Sequence, residues 1–237
     1  MKGRFVAPDR SARRSRSAPA MVNDDSPTLV GAGVTLRELR PSDSAILFTL
    51  LTEEQVMKFI SPPPTSPAGF ETFIDWSIAE RKRGRHFSFG VLPEGLTDPI
   101  GIFQLRMLDR GSNVAEWGFV LAYEYWGTGI FPEAARLMLK FAFDTVGVNR
   151  LEARASVPNE RGNGALAKVA AVHEVKMRES FRRHGIWFDQ VMWSILADEW
   201  RAHEQQRRKD ATRTPSSGQI IDDTEGQRRT PARQTAL

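Results

Sequence analysis

Cysteine is absent from this chain of 237 residues. Its absence excludes disulfide frameworks, zinc–thiolate centres and cysteine nucleophiles, and it agrees with a reducing, cytoplasmic setting. Histidine is scarce, at 86, 173, 184 and 203 only, with no helical pair and no carboxylate cluster beside any of them, so no metal site is expected. No apolar run approaches 18 residues, which removes a membrane-spanning helix from the expectations. No internal repeat is present.

What remains is ample for one packed domain. Apolar residues make up 41%, including six Trp and fourteen Phe, enough for a sizeable core. The net charge of +4 is unevenly placed: residues 1–27 carry +3, residues 201–237 carry +3, and the body at 28–200 carries −2. Basic character therefore belongs to the ends, and the body is mildly acidic. "RSARRSRSAPA" at the front and "RTPSSGQIIDDTEGQRRTPARQ" at the back are polar and nearly free of large apolar residues, so both ends are expected to be disordered tails. The front segment is Arg/Ser-rich, with no apolar stretch of the kind an export signal needs, and Met21 offers a second start.

Within the body, "LVGAGVTLREL" predicts a turn and a strand. "SAILFTLLTEEQVMKFI" has helical periodicity after a "PSD" cap, "SPPPTSP" (61–67) predicts a stiff exposed loop, and a second helix is expected over 68–83. "HFSFGVL", "IGIFQLRML" and "VAEWGFVL" predict three strands, 132–146 a helix, "RLEARASV" a strand and 160–171 a short helix. "HEVKMRESF" and "IWFDQVMWSIL" predict a closing hairpin around "RRHG". The expected fold is α/β (α+β): a single domain with a mostly antiparallel sheet, one parallel pair made by the strand–helix–strand passage at 114–157, and helices on both faces.

"WGTGIFPEA" places Gly127 and Gly129 at the seam between the strand before them and the 132–146 helix. A Walker loop needs Lys-Ser/Thr after its last glycine, and here Ile130 and Phe131 follow. A dinucleotide fingerprint needs a third glycine at 132, where proline stands. Two readings are left: a plain tight turn, or a turn whose successive N–H groups wrap an anion at a helix N-terminus. Gly31-Ala32-Gly33 shows the same pattern before a strand and reads as a turn and nothing else.

The strand, "YWGTG", the helix and then "PNERGNGALAKVAAV" together resemble the GNAT superfamily of acetyl-CoA-dependent N-acetyltransferases, and within it the branch of ribosomal-protein N-terminal acetyltransferases. The resemblance spans about residues 30–198, through Gly127, Gly129, Glu133-Ala134, Asn159 and Lys168. It implies a sheet splayed at its parallel pair, and acetyl-CoA as co-substrate with no metal. The pyrophosphate would lie on the amides of Gly127, Thr128, Gly129, Ile130 and Phe131. It further implies a bulged fourth strand whose Phe119, Val120 and Leu121 face the pantetheine and the thioester carbonyl. Asn159 or Asn163 would reach the sulfur region. Arg136 and Lys140 are either candidates for the 3′-phosphate or solvated helix residues. Glu116, which interrupts an apolar strand, is the expected base, acting directly or through water. The loop at 61–67 is the expected rim of the acceptor site, and Asp189 has a substrate or a structural role. Trp117, Trp126, Trp187 and Trp193 read as core and pocket walls.

Two departures stand out. Leu166 and Gly162 occupy the positions where the family's Tyr or Ser would protonate the leaving thiolate, and Val169-Ala170 replaces an expected Leu-Gly. The sequence thus supports an N-acetyltransferase acting directly, without an acetyl-enzyme, on a protein N-terminus or a small-molecule amine. The alternative is a catalytically weak acyl-CoA-binding regulatory module. Either is compatible with non-specific nucleic-acid or ribosome contact through the basic tails.

Overall fold

The computed structural model describes residues 26–108 and 113–213. The expected N-terminal tail and most of the C-terminal one, with any nucleic-acid or ribosome contact, lie outside them. In chain order the elements are β1 (Leu29–Val30), β2 (Val34–Glu38), α1 (Ser44–Leu51), α2 (Glu54–Met57), α3 (Pro67–Lys82), β3 (His86–Pro93), β4 (Gly101–Met107), β5 (Val114–Leu121), α4 (Ile130–Lys140), β6 (Arg150–Ser156), α5 (Glu160–Lys168), β7 (Val172–Arg183), β8 (Ile186–Leu196) and α6 (Ala197–Arg213). The eight strands form one sheet in the order β1-β2-β3-β4-β5-β6-β8-β7. Every neighbouring pair is antiparallel except β5 with β6.

The strand alternation sorts side chains onto two faces. Phe87, Phe89, Phe103, Leu105, Trp117 and Leu151 face the larger core with Ala134, Met138 and Phe141 of the α4 region. Phe141 sits edge-on to both Phe87 and Phe89, with ring centroids 5.2 and 5.1 Å away. On the opposite face Ile102 and Val120 pack with Leu47, Leu51, Phe70 and Ile74 of α1 and α3. A side-chain pair from Arg37 to Asp43, both contacts at 2.8 Å, ties β2 to the turn before α1.

Three expectations are corrected at the level of elements. The apolar run after "PSD" is two helices, broken where Glu53 turns extended (φ −61°, ψ 140°). The helix expected over 132–146 starts at Ile130 and finishes as a π-helical turn, Phe141–Val146. Past 200, where composition predicts a disordered tail, α6 runs on to Arg213. It is docked by Trp200 on Phe143 (centroids 5.3 Å) and by buried Glu204.

Candidate active site

β5 and β6 pair only from Val114↔Arg150 to Glu116↔Glu152. Beyond Glu116, β5 stays with β4 and β6 stays with β8, so the sheet opens along a fork whose base is Glu116. A cavity of about 600 Å³ occupies that fork. Trp117, Phe119, Ala153, Ala155 and Leu166 line its apolar side. Gln104, Arg106, Glu116, Gly118, Arg154 and Gln190 line its polar side, and Ser61 to Pro64 border it from the α2–α3 loop.

The β4–β5 register is one-to-one from Met107↔Ala115 to Gly101↔Leu121, so the bulge expected in this strand is absent and the fork arises from divergence alone. Leu108 N–H donates to Val114 and Ala122 N–H to Ile100, which puts the even-numbered residues of β5 in the hydrogen-bonded ladder with β4. The backbone of Val120 is therefore committed to β4. Phe119 directs its N–H and C=O toward the fork, where β6 offers no pairing. Leu121 is buried, and its carbonyl accepts from Trp126 Nε1 at 2.9 Å. Of the three residues expected to face the thioester, Phe119 keeps both its backbone groups aimed at the fork.

Gly127 and Gly129 have φ of +80° and +86°, and Gly129 is the N-cap of α4. A side chain at either position is strained whatever the room around it, and nothing lies within 4 Å of where a Cβ would stand. The turn is pinned by Thr128 Oγ1 donating to the Tyr125 carbonyl at 2.8 Å. Beyond it the leading N–H groups of α4, from Ile130 and Phe131, have no partner within the helix. Pro132 adds no donor but suits a first turn. Open space, successive N–H groups and a helix N-terminus make this turn fit a pyrophosphate.

Arg161, at the start of α5, lies over the Trp126 ring at 4.6 Å. It is the cation beside the glycine turn that the sequence did not single out, because the stack joins segments 35 residues apart. Arg136 and Lys140 have carboxylate partners of their own. Arg136 donates to Glu133 at 2.6 Å with Glu204 at 4.0 Å, and Lys140 pairs with Asp144 at 3.4 Å. Glu133 in turn accepts from the Ala32 N–H at 3.1 Å, and a Cβ at Gly31 would meet its Oε1 at 2.6 Å. Gly31-Ala32-Gly33 is thus more than a turn, since it docks β1–β2 on α4. The hydrogen bond from Arg136 first, then that from Ala32, holds the Glu133 carboxyl below the usual carboxylate range.

Glu116 is partly buried and bonds to Arg106, its cross-strand partner, with Arg154 Nε at 4.0 Å. Its neighbour Glu152 is engaged by Arg150 at 2.8 Å. Asn159 lines the cavity and caps α5, its Oδ1 accepting from Gly162 N–H at 2.9 Å. A Cβ at Gly162 would sit 2.4 Å from Asn159 Nδ2, so glycine there lets the cap close. The Asn163 amide donates to the Ser156 and Asn159 carbonyls, both at 2.9 Å, and accepts from Trp193 Nε1 at 2.9 Å. Those bonds make it a brace between β6, α5 and β8. Asp189 accepts from Glu179 N–H at 2.9 Å and pairs with Lys176 at 2.8 Å, stabilising the β7 irregularity between Met177 and Phe181. Trp187 is 53% exposed on the closing hairpin, not a pocket wall. Among the described residues no group of three or more His, Asp or Glu is placed to hold a metal, and no helix is long and apolar enough to cross a membrane.

In the sequence His86 is one of four scattered histidines, with no motif around it. It lines the cavity, 5% exposed, with Nε2 2.9 Å from Ser88 Oγ. Burial, and then the charge of Arg106, push its pKa down to about 4, so it is neutral above mildly acidic pH.

A sheet opened at its one parallel pair, with a left-handed glycine turn heading the helix between those strands, is the arrangement that the resemblance to the GNAT superfamily implied. The family model for the GNAT acetyltransferase domain matches residues 34–172. The chain belongs to the GNAT acetyltransferase family, whose members use acetyl-CoA as co-substrate. It is 28% identical over 180 residues to the protein named "Putative ribosomal N-acetyltransferase YdaF" of Bacillus subtilis (strain 168), covering 72% of this chain and 95% of that one. Among solved structures it resembles the ribosomal-protein-S5-alanine acetyltransferase of Vibrio fischeri (TM-score 0.67, 19% identity, 74% and 99% covered). It also resembles a chimeric spermidine N-acetyltransferase SpeG of Vibrio cholerae (0.64, 21%, 71% and 98%). One fold thus serves quite different amines.

Proposed function

We propose that this enzyme moves an acetyl group from acetyl-CoA directly to the α-amine at a protein N-terminus. The carrying observation is the fork at Glu116, whose cavity continues from the β5–β6 opening to the Pro62–Pro64 loop. Acetyl-CoA supplies an activated thioester. The glycine turn holds its pyrophosphate, and Phe119 N–H polarises the carbonyl. Glu116 attracts the incoming ammonium and receives its proton through a water. The amine nitrogen forms a bond to the carbonyl carbon, the C–S bond breaks, and the thiolate leaves past Asn159, taking its proton from solvent.

The ribosomal N-acetyltransferase name of the Bacillus subtilis relative supports a protein acceptor. Two guanidiniums beside Glu116 disfavour a polycation such as spermidine. A second reading, a binding module of low turnover, is favoured by Leu166 and Gly162, which line the cavity and carry no proton donor. Thiol release from acetyl-CoA distinguishes these readings, with alanine peptides bearing a free N-terminus tested against spermidine. Turnover of the peptides is expected. Turnover of spermidine alone overturns the protein acceptor, and cofactor binding with no turnover of either supports the module.

A further inference from the structure

The strand register sets His86, Arg106 and Glu116 in one row across β3, β4 and β5, on the same face of the sheet, and all three line the cavity. The His86 ring is fixed from two sides: Nε2 lies 2.9 Å from Ser88 Oγ, and the ring rests against Trp76 of α3 at 4.8 Å. Its other nitrogen, Nδ1, is buried and without a partner. A buried polar atom left unpaired is costly, and His86 borders the cavity, so a ligand group seated there can complete it.

Two strand spacings separate His86 from Glu116, or about 9.6 Å. An extended peptide advances about 3.3–3.6 Å per residue, so a chain whose amine sits at Glu116 brings its third residue to His86. Given the peptide acceptor proposed above, we propose that His86 is a specificity-determining residue, whose Nδ1 hydrogen-bonds the acceptor near its third residue. Proton transfer is not its task. The imidazole is neutral, and beside Arg106 of β4 and Glu80 of α3 its protonation is opposed mainly by burial. A small amine seated at Glu116 ends short of this contact, so His86 favours peptides over small amines.

The test compares the full chain with His86→Phe, which keeps a ring against Trp76 and removes both nitrogens. The probes are alaninamide, too short to reach, and tetra-alanine amide, which spans the distance. The expected result is a fivefold to tenfold larger rise in KM for the tetrapeptide than for alaninamide, about one hydrogen bond. The kcat for the tetrapeptide should change less than its KM, and His86→Gln should recover part of the loss. Equal losses on both amides mean a merely structural role and overturn the assignment, as does no loss on either. If His86→Phe does not fold by circular dichroism, Ser88→Ala releases the ring from its anchor. It should then produce the same length-dependent KM change, and no such change overturns the assignment. A wild-type chain that turns over neither amide overturns the peptide reading along with this one. Normal peptide turnover with an unaffected variant overturns this one alone.

Discussion

The two walls of the fork use different parts of the chain. Toward the start of α4 the groups suited to an anion are backbone, in the left-handed turn at Gly127 and Gly129 and the first N–H groups of α4, with Phe119 in the fork itself. Toward β3 and the α2–α3 loop the lining groups are side chains, with His86, Gln104, Arg106 and Glu116 set in rows by strand register. On the proposed function the backbone wall takes the co-substrate that the family shares, and the side-chain wall, where substitutions leave the sheet intact, chooses the acceptor.

Breaking one wall should therefore spare the other. The largest effect is expected from Glu116→Gln, which should lower kcat by roughly 100-fold or more while acetyl-CoA affinity, measured by titration calorimetry, stays within about twofold. Equal damage to both would mean that the walls are not separable.

The pH dependence of stability comes next. A His86 pKa lowered to about 4 means the unfolded chain binds the proton more readily between pH 6.5 and 4. His86 therefore contributes no destabilisation above pH 6.5, and stability falls as pH drops through that window, by about 3 kcal/mol. Urea unfolding at pH 7 and pH 4.5 should show His86→Phe losing distinctly less than the parent. An identical loss would place the acid sensitivity in the carboxylates.

Glu133→Gln tests a structural latch rather than either wall. Removing the charge that holds Arg136 should cost about 1–2 kcal/mol and a few degrees in Tm, read by calorimetry. The smallest effect is expected at the rim of the backbone wall. Arg161→Ala, which removes the exposed guanidinium over Trp126, should weaken acetyl-CoA binding about fivefold, with a shallower dependence on salt.

The contrast between the walls also explains what could be read from the sequence. The glycine turn is local: strand, Gly-x-Gly and helix lie within about 30 residues, and the φ values they require leave few alternatives to glycine. Glu116 was visible because it interrupts an apolar strand. The row from His86 to Glu116 was not, since it depends on which strands pair and in what register across 30 residues. Asn163 and Asp189 carried a pattern, but only the fold shows their atoms spent on Trp193, Glu179 and Lys176. The extension of α6 was hidden by its own composition. Residues 201–210 are almost wholly polar, and it takes Trp200 and the Glu204–Arg207 pair, with Arg136 close by, to hold that helix against the body.

The central claim is that the Gly127–Gly129 turn holds the pyrophosphate of acetyl-CoA. It is tested most directly by calorimetric titration of acetyl-CoA into the full chain, beside a Gly129→Glu variant shown by circular dichroism to be folded. Saturable one-to-one binding in the parent and none in the variant is the predicted result. Equal binding in both, or none in the parent, would contradict it.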